Sequence, residues 1–258
     1  MLGERTARLR ALIADRADGQ GVPVSLSVVC ETCVATVDVD GAQVSLWDED
    51  GQSTPLCSVG PLSDRLEELR FTTGEGPAIE ALRTGGPVLV SDLDDGRSAR
   101  RWPLFVPGAL DLGVQAMFAL PLQIGAAQLG VLELNRHRPG PLDREPLADA
   151  LSFAGLALQT VLDEQSGFRG RRVVDGHALD GNILDGWFSD LFSPRRAEVH
   201  QATGMVAVHL NVGIAEALAR MRAYAYAHDE PLGRVASRII SGELRLESDD
   251  RDKGTDDR

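Results

Sequence analysis

Apolar positions recur at two periods along the chain, and each change of period marks an element. Leu2, Leu9, Leu12 and Ile13 stand among Arg and Glu over residues 1–20, an amphipathic helix that Gly19 and Gly21 end. Such a helix has three outlets: it dimerises, packs on the adjoining domain, or frays. Residues 26–36 read as a second helical or mixed segment. The period then falls to two. Ala42-Gln43-Val44-Ser45-Leu46-Trp47 alternates, a turn cluster comes next at 48–51, and Leu56-Cys57-Ser58-Val59 supplies the partner of a hairpin. A helix is predicted over 64–70, and Gly74-Glu75-Gly76-Pro77 makes the tight entry to another that runs through Leu82. Residues 87–93 form a strand leading into a polar loop, and 100–112 hold a short helix. Two more strands stand at 114–121 and 129–135, joined through Gly125-Ala126-Ala127. From Leu142 a long helix carries Leu147, Leu151, Ala154, Leu158 and Leu162. Antiparallel strand pairs with helices before, between and after them predict an α+β domain over residues 21–165.

The C-terminal third changes character. Residues 195–246 read as three short helices. The first carries Val199, Ala202, Val206 and Leu210, and Asn211 with Gly213 breaks it. The second carries Ile214, Ala217, Leu218, Met221 and Ala225 on one face. Asp229 offers an N-cap oxygen and Pro231 suits the first turn of the third helix. That helix carries Leu232, Val235, Ala236, Ile239 and Ile240 and ends at Gly242, a plausible C′ residue. Helices this short are not stable alone, so the three are expected to pack into one all-α module. Between the two regions, 166–194 reads as a linker that nonetheless carries an apolar stripe: Leu179, Ile183, Leu184, Trp187, Phe188, Leu191 and Phe192. That stripe predicts a helix docked on the three-helix module, on a second copy, or within one monomer. The tail, 247–258, has no apolar content and is expected to be disordered.

Composition adds little until charge is divided by region. The 258-residue chain is 43% hydrophobic and 25% charged, ordinary for a soluble protein. No run approaches the roughly 18 apolar residues of a membrane span, and no basic, apolar and small-residue leader opens the chain, so a cytoplasmic protein is expected, not a membrane one. The net charge of −13 argues against a general nucleic-acid coat. Yet within 195–246 seven Arg and no Lys face five acids, leaving +2. Guanidinium forks suit phosphates and stack on bases, so any RNA contact is expected here.

Those C-terminal residues carry a resemblance. Val199-x-x-Ala202-x-Gly204-Met205-Val206, then Ala215 to Leu218 with Met221-Arg222-x-Tyr224-Ala225, then Leu232-x-x-Val235-Ala236-x-x-Ile239-Ile240 resemble the ANTAR family, three-helix RNA-binding modules of transcription antitermination regulators. The chain departs from that pattern at Thr203, where the family often has Lys. The resemblance implies recognition of paired stem-loops by a homodimer, stabilising an antiterminator. Arg195, Arg196, Arg220, Arg222, Arg234 and Arg238 would contact phosphate or loop. His200, Gln201, Thr203 and Tyr224 would supply hydrogen bonds or stacking, and Gly204 close backbone approach.

The first region resembles the GAF domain, a small-molecule sensor fold. The resemblance rests on Gly74-Glu75-Gly76-Pro77, on Gly86-Pro87-Val88 through Asp92-Leu93, on Arg101-Trp102-Pro103-x-Phe105 and on Pro121 through Leu129-Gly130-Val131-Leu132. It implies a ligand pocket between the sheet and the 91–112 crossover, near Phe71, Trp102, Phe105 and Met117. The ligand itself is not identified by these residues, and plain core packing is the competing role for all four. No metal-ligand spacing calls for a metal or haem, and Gly-x-Ser-x-Gly is absent, so no enzyme is expected. Cys30-Glu31-Thr32-Cys33 admits redox chemistry or half of a zinc site, but no second Cys pair or nearby His pair completes it, and a structural role is expected. Two rivals to the RNA-binding reading stand beside it. One is a GAF-fold thiol redox enzyme using Cys30, Cys33 and Cys57; the other is an interaction regulator whose terminal helices only dimerise.

Overall fold

The computed structural model describes residues 2–47, 53–125, 127–172 and 194–246. The expected disordered tail and the apolar stripe at 179–192 lie outside them. The chain divides into two compact units, residues 1–70 with 75–191 and residues 71–74 with 192–258.

In the first unit, α1 (Leu2–Gln20) and α2 (Leu26–Val37) precede the hairpin β1 (Gly41–Trp47) and β2 (Ser53–Val59). Then come α3 (Ser63–Thr73), α4 (Pro77–Thr84), β3 (Val88–Val90), α5 (Arg97–Arg101) and α6 (Phe105–Asp111). The long hairpin β4 (Ala116–Ile124) and β5 (Ala127–Arg136) leads to α7 (Arg144–Arg172). The single helix expected at 100–112 is two, because Pro103 cannot donate to the ladder and Trp102 leaves the helical region at φ −137°. Helix α7 runs past the expected domain end at 165 and takes up the start of the expected linker.

The five strands form one antiparallel sheet in the order β2-β1-β5-β4-β3. Register puts Val44 opposite Leu132 and Leu132 opposite Leu120, so Ala42, Val44, Leu46, Leu132, Leu134, Phe118, Leu120 and Leu122 share one face. Helices α2 and α7 lie against that face. Helix α1 takes the second of its three outlets: Leu9, Ile13 and Ala17 are buried, it packs on α2 and α7, and Arg8 pairs with Asp149 at 2.7 Å. The opposite face carries Val88, Val90, Met117, Ala119, Val131 and Trp47, packed under Ala78, Ala81, Trp102, Phe105, Val106 and Ala109. Each large apolar side chain so buried contributes about 1.5–3 kcal/mol.

Two glycines of the motifs serve close approach. A Cβ on Gly130 would stand 2.2 Å from the Ser45 carbonyl oxygen, so β5 meets β1 only without a side chain. Gly76 sits at φ +129° as the N-cap of α4, and an added Cβ would meet the Phe105 ring at 3.3 Å. Pro77 comes next at the start of that helix, and the Glu75 carboxylate accepts the Leu104 backbone N–H at 3.0 Å, tying the helix entry to the crossover.

The second unit holds α8 (Pro194–Leu210), α9 (Ile214–Ala227) and α10 (Leu232–Ile240) among the described residues. They pack pairwise around Val199, Ala202, Val206, Ala217, Met221, Ala225, Leu232, Val235, Ala236 and Ile239. Gly242 takes its expected place past α10 at φ +80°, and the Leu244 N–H closes back on the Arg238 carbonyl at 3.0 Å. Asp229 does not cap α10. It adopts φ +51° after α9, and Pro231 itself occupies the N-cap position.

Gly130→Ala is expected to lower unfolding free energy by about 1–3 kcal/mol through overpacking against β1. Urea titration should show a lower midpoint with an unchanged slope; an unchanged midpoint would contradict the close approach.

Candidate functional site

On the sheet face under α3 to α6, Trp102, Phe105 and Met117 come together as expected, between the sheet and the crossover. They are 4%, 1% and 0% exposed, buried with Ala78, Ala81, Val106 and Ala109. Arg101 lies over the Trp102 ring, 4.3 Å from its centroid, and is bonded to Glu80 on α4. Phe71 is placed apart: it is half-buried at the end of α3 and is not a member of that cluster.

Next to the apolar cluster is a polar one that the sequence pattern does not announce. Arg70 on α3, 3% exposed, donates to Glu133 on β5 at 2.8 Å and to the Ser45 hydroxyl on β1 at 3.2 Å. It also bonds Glu67 one turn back, and its guanidinium lies 5.0 Å from the Trp47 ring centroid. Gln43 completes the group, its amide donating to Glu67 at 2.6 Å. Alternation along β1 predicts that Gln43 and Ser45 face solvent. Instead every residue of β1 is buried, because helices cover both faces of the sheet. The available signal was Glu133, a charge within the apolar run Val131-Leu132-Glu133-Leu134. One guanidinium thus bridges two carboxylates, one on its own helix and one on β5.

In the three-helix unit the candidate residues divide. His200 and Gln201 are exposed on α8, and a Cβ at Gly204 would meet nothing within 4 Å, so this face is open. Thr203 is corrected: it is 4% exposed, its hydroxyl donates to the Val199 carbonyl at 2.7 Å, and Met221 Sδ lies 3.5 Å away. The i+4 geometry of α8 turns it into the core, where no ligand reaches it. Arg195 and Arg196 stand in the first turn of α8, their side chains outside the described part.

On α9, Arg220 pairs with Glu216 at 2.8 Å and Arg222 is half-buried. Tyr224 stacks on His228, with ring centroids 3.9 Å apart and planes 17° from parallel. Arg238 on α10 makes a forked contact with Glu230 at 3.0 and 2.8 Å and also bonds Tyr224. One turn before it, Arg234 is exposed and makes no ion pair among the described residues. The structure therefore links Tyr224 of α9 with Arg238 of α10, with Arg234 one turn before Arg238, and adds His228, which sequence reasoning missed. The i, i+4 spacing of Tyr224 and His228 was its only signal.

The model of the GAF domain family matches residues 24–159, more than half of the chain, and the chain belongs to that family. Similar solved structures include the GAF domain of an Acinetobacter phosphoenolpyruvate-protein phosphotransferase, at 13% identity and TM-score 0.47, covering 66% of this chain and 98% of that one. The corresponding domain from Coxiella burnetii shows 15% identity and TM-score 0.46, with 64% and 98% covered. The second GAF domain of DevS from Mycobacterium smegmatis shows 16% identity and TM-score 0.39, with 57% and 96% covered. No curated protein is similar enough to match. Membership gives the first unit a sensor-type fold. No single helix among the described residues is long and apolar enough to cross a membrane.

Arg70→Met removes the cation that Glu67 and Glu133 share and is expected to cost about 3–5 kcal/mol. Adding Glu133→Gln should recover part of that loss in chemical denaturation. Equal stability of the two variants would mean that Arg70 and Glu133 are not coupled.

Proposed function

We propose that this chain is a signal-responsive RNA-binding regulator, in which the GAF unit receives a small ligand or partner and the three-helix unit binds structured RNA. The observation that carries the reading is the α9–α10 junction, where exposed Arg234, Arg238 and the stacked Tyr224–His228 pair present guanidinium and aromatic surface together. Splayed RNA bases stack on such rings, and phosphates accept such forks. The local charge of +2 in a chain of −13 confines nucleic acid to this unit. The resemblance of residues 195–246 to the ANTAR family supports paired stem-loops as the target and transcription antitermination in the cytoplasm as the outcome. A homodimer would engage both loops, the second at the effective concentration set by its tether to the first. The output is binding, not catalysis.

A second reading has its own observation. Val208 is 84% exposed, Ile214 62% and Met205 42%, an apolar group at the α8–α9 turn that favours a protein partner for the same unit.

Binding of the full chain to a double stem-loop RNA, against single-hairpin and duplex controls across salt, tests the first reading. Preference for two loops is expected, with log affinity falling steeply with log salt. Arg234→Ala should weaken binding to all loop sequences and reduce the salt slope by about 1. Affinity equal to the duplex control and unmoved by Arg234→Ala would leave the protein-partner reading in its place.

A further inference from the structure

The sequence draws attention to the Cys30–Cys33 pair, but the fold makes a different one. Strand β2 is an edge of the sheet, and its register places Cys57 opposite Val44, on the face that α2 covers. Cys30, fully buried on α2, is the partner of Cys57 across the packed α2–β2 pair. Ser27, an exposed residue of the first turn of α2, also bonds the Cys57 sulfur. Cys33 lies one turn beyond Cys30, fully buried, near Asp149 of α7. All three are free thiols.

We infer that Cys30 and Cys57 form a peroxide-responsive thiol pair, closing an intrachain disulfide between α2 and the edge strand β2 while Cys33 stays reduced. Position and chemistry assign the roles. Cys57 is the thiol nearer the surface, 6% exposed beside an exposed serine, whereas Cys30 is fully buried. Hydrogen bonds from Cys30 and Ser27 hold the Cys57 pKa below its usual value, against burial and the charges of Glu31 and Glu164. The hydrogen bond to Cys57, followed by burial, pushes the Cys30 thiol well up, and burial pushes Cys33 up. Cys57, the thiol nearer the surface, is thus the attacking sulfur and Cys30, fully buried, the resolving one.

The reaction balances with a hydroperoxide as oxidant. The Cys57 thiolate attacks a peroxide oxygen; an S–O bond forms, the O–O bond breaks, and the leaving oxygen departs as hydroxide or alkoxide and takes up a proton. The Cys30 sulfur then attacks the sulfenic sulfur of Cys57. An S–S bond forms, the S–OH bond breaks, and hydroxide leaves with the Cys30 proton as water. Two thiols lose two electrons and one peroxide gains them. The product staples α2, which also packs on α7, to the edge of the sheet.

The test is a non-reducing peptide map of the native full chain after treatment with hydrogen peroxide and alkylation. The expected product is a monomer lighter by two hydrogen atoms, with Cys30 linked to Cys57 and Cys33 alkylated. C33S should form the same bridge, and C30S should accumulate a sulfenic acid at Cys57 that dimedone labels. Survival of all three thiols, a bridge through Cys33, or only intermolecular disulfides would overturn the inference. The wild-type map decides the matter even where a variant fails to fold.

Discussion

A sheet covered on both faces must bury every side chain that its central strands carry, including the charged ones. Strand β1 and residues 130–136 of β5 are in that position, and Glu133 and Arg136 are the charges they enclose; Glu133 lies on the face under α3. Leaving a carboxylate there unpaired would cost several kcal/mol. Arg70 answers it from α3, and holding Arg70 in turn recruits Glu67, Ser45, the Trp47 ring and, through Glu67, Gln43. The position of α3 therefore rests on this guanidinium together with Leu66, buried in the core of the same face. The rest of that face could close with apolar side chains, and Trp102, Phe105 and Met117 do so. The result is a GAF fold with an apolar cluster between sheet and crossover and a charged cluster at its side.

What was legible in the sequence was whatever one period of side chains decides. Both hairpins, the long helix and the three C-terminal helices emerge from apolar spacing, and Gly76 with Pro77 marked the entry of α4 that the fold uses. What was not legible depended on a second layer. Gln43 and Ser45 alternate with apolar neighbours, and alternation says nothing of helices stacked on the polar side. Thr203 read as a surface polar residue because a hydroxyl that bonds its own helix carbonyl is as buried as a valine. Asp229 read as a cap because its chemistry suits one, but a left-handed backbone there leaves Pro231 to begin α10.

The cysteines show the same limit from another side. Cys30 and Cys33 are neighbours in sequence, and motif spacing alone pairs them. The edge strand brings Cys57 to Cys30 across the chain, and only register and helix placement reveal it. Likewise the Arg residues of 195–246 look equivalent in sequence. In the fold Arg220 and Arg238 already hold carboxylates, whereas Arg234 stands exposed one turn before Arg238. A guanidinium engaged to Glu must exchange that partner for a phosphate; Arg234 has no such contact to give up among the described residues.

Hydrogen–deuterium exchange of the full chain with and without a double stem-loop RNA tests the division of labour most directly. Slowed exchange is expected at the end of α9 and along α10, around Tyr224, His228, Arg234 and Arg238, with the sheet of the first unit unchanged. Protection confined to the first unit, or none in either, would contradict that division.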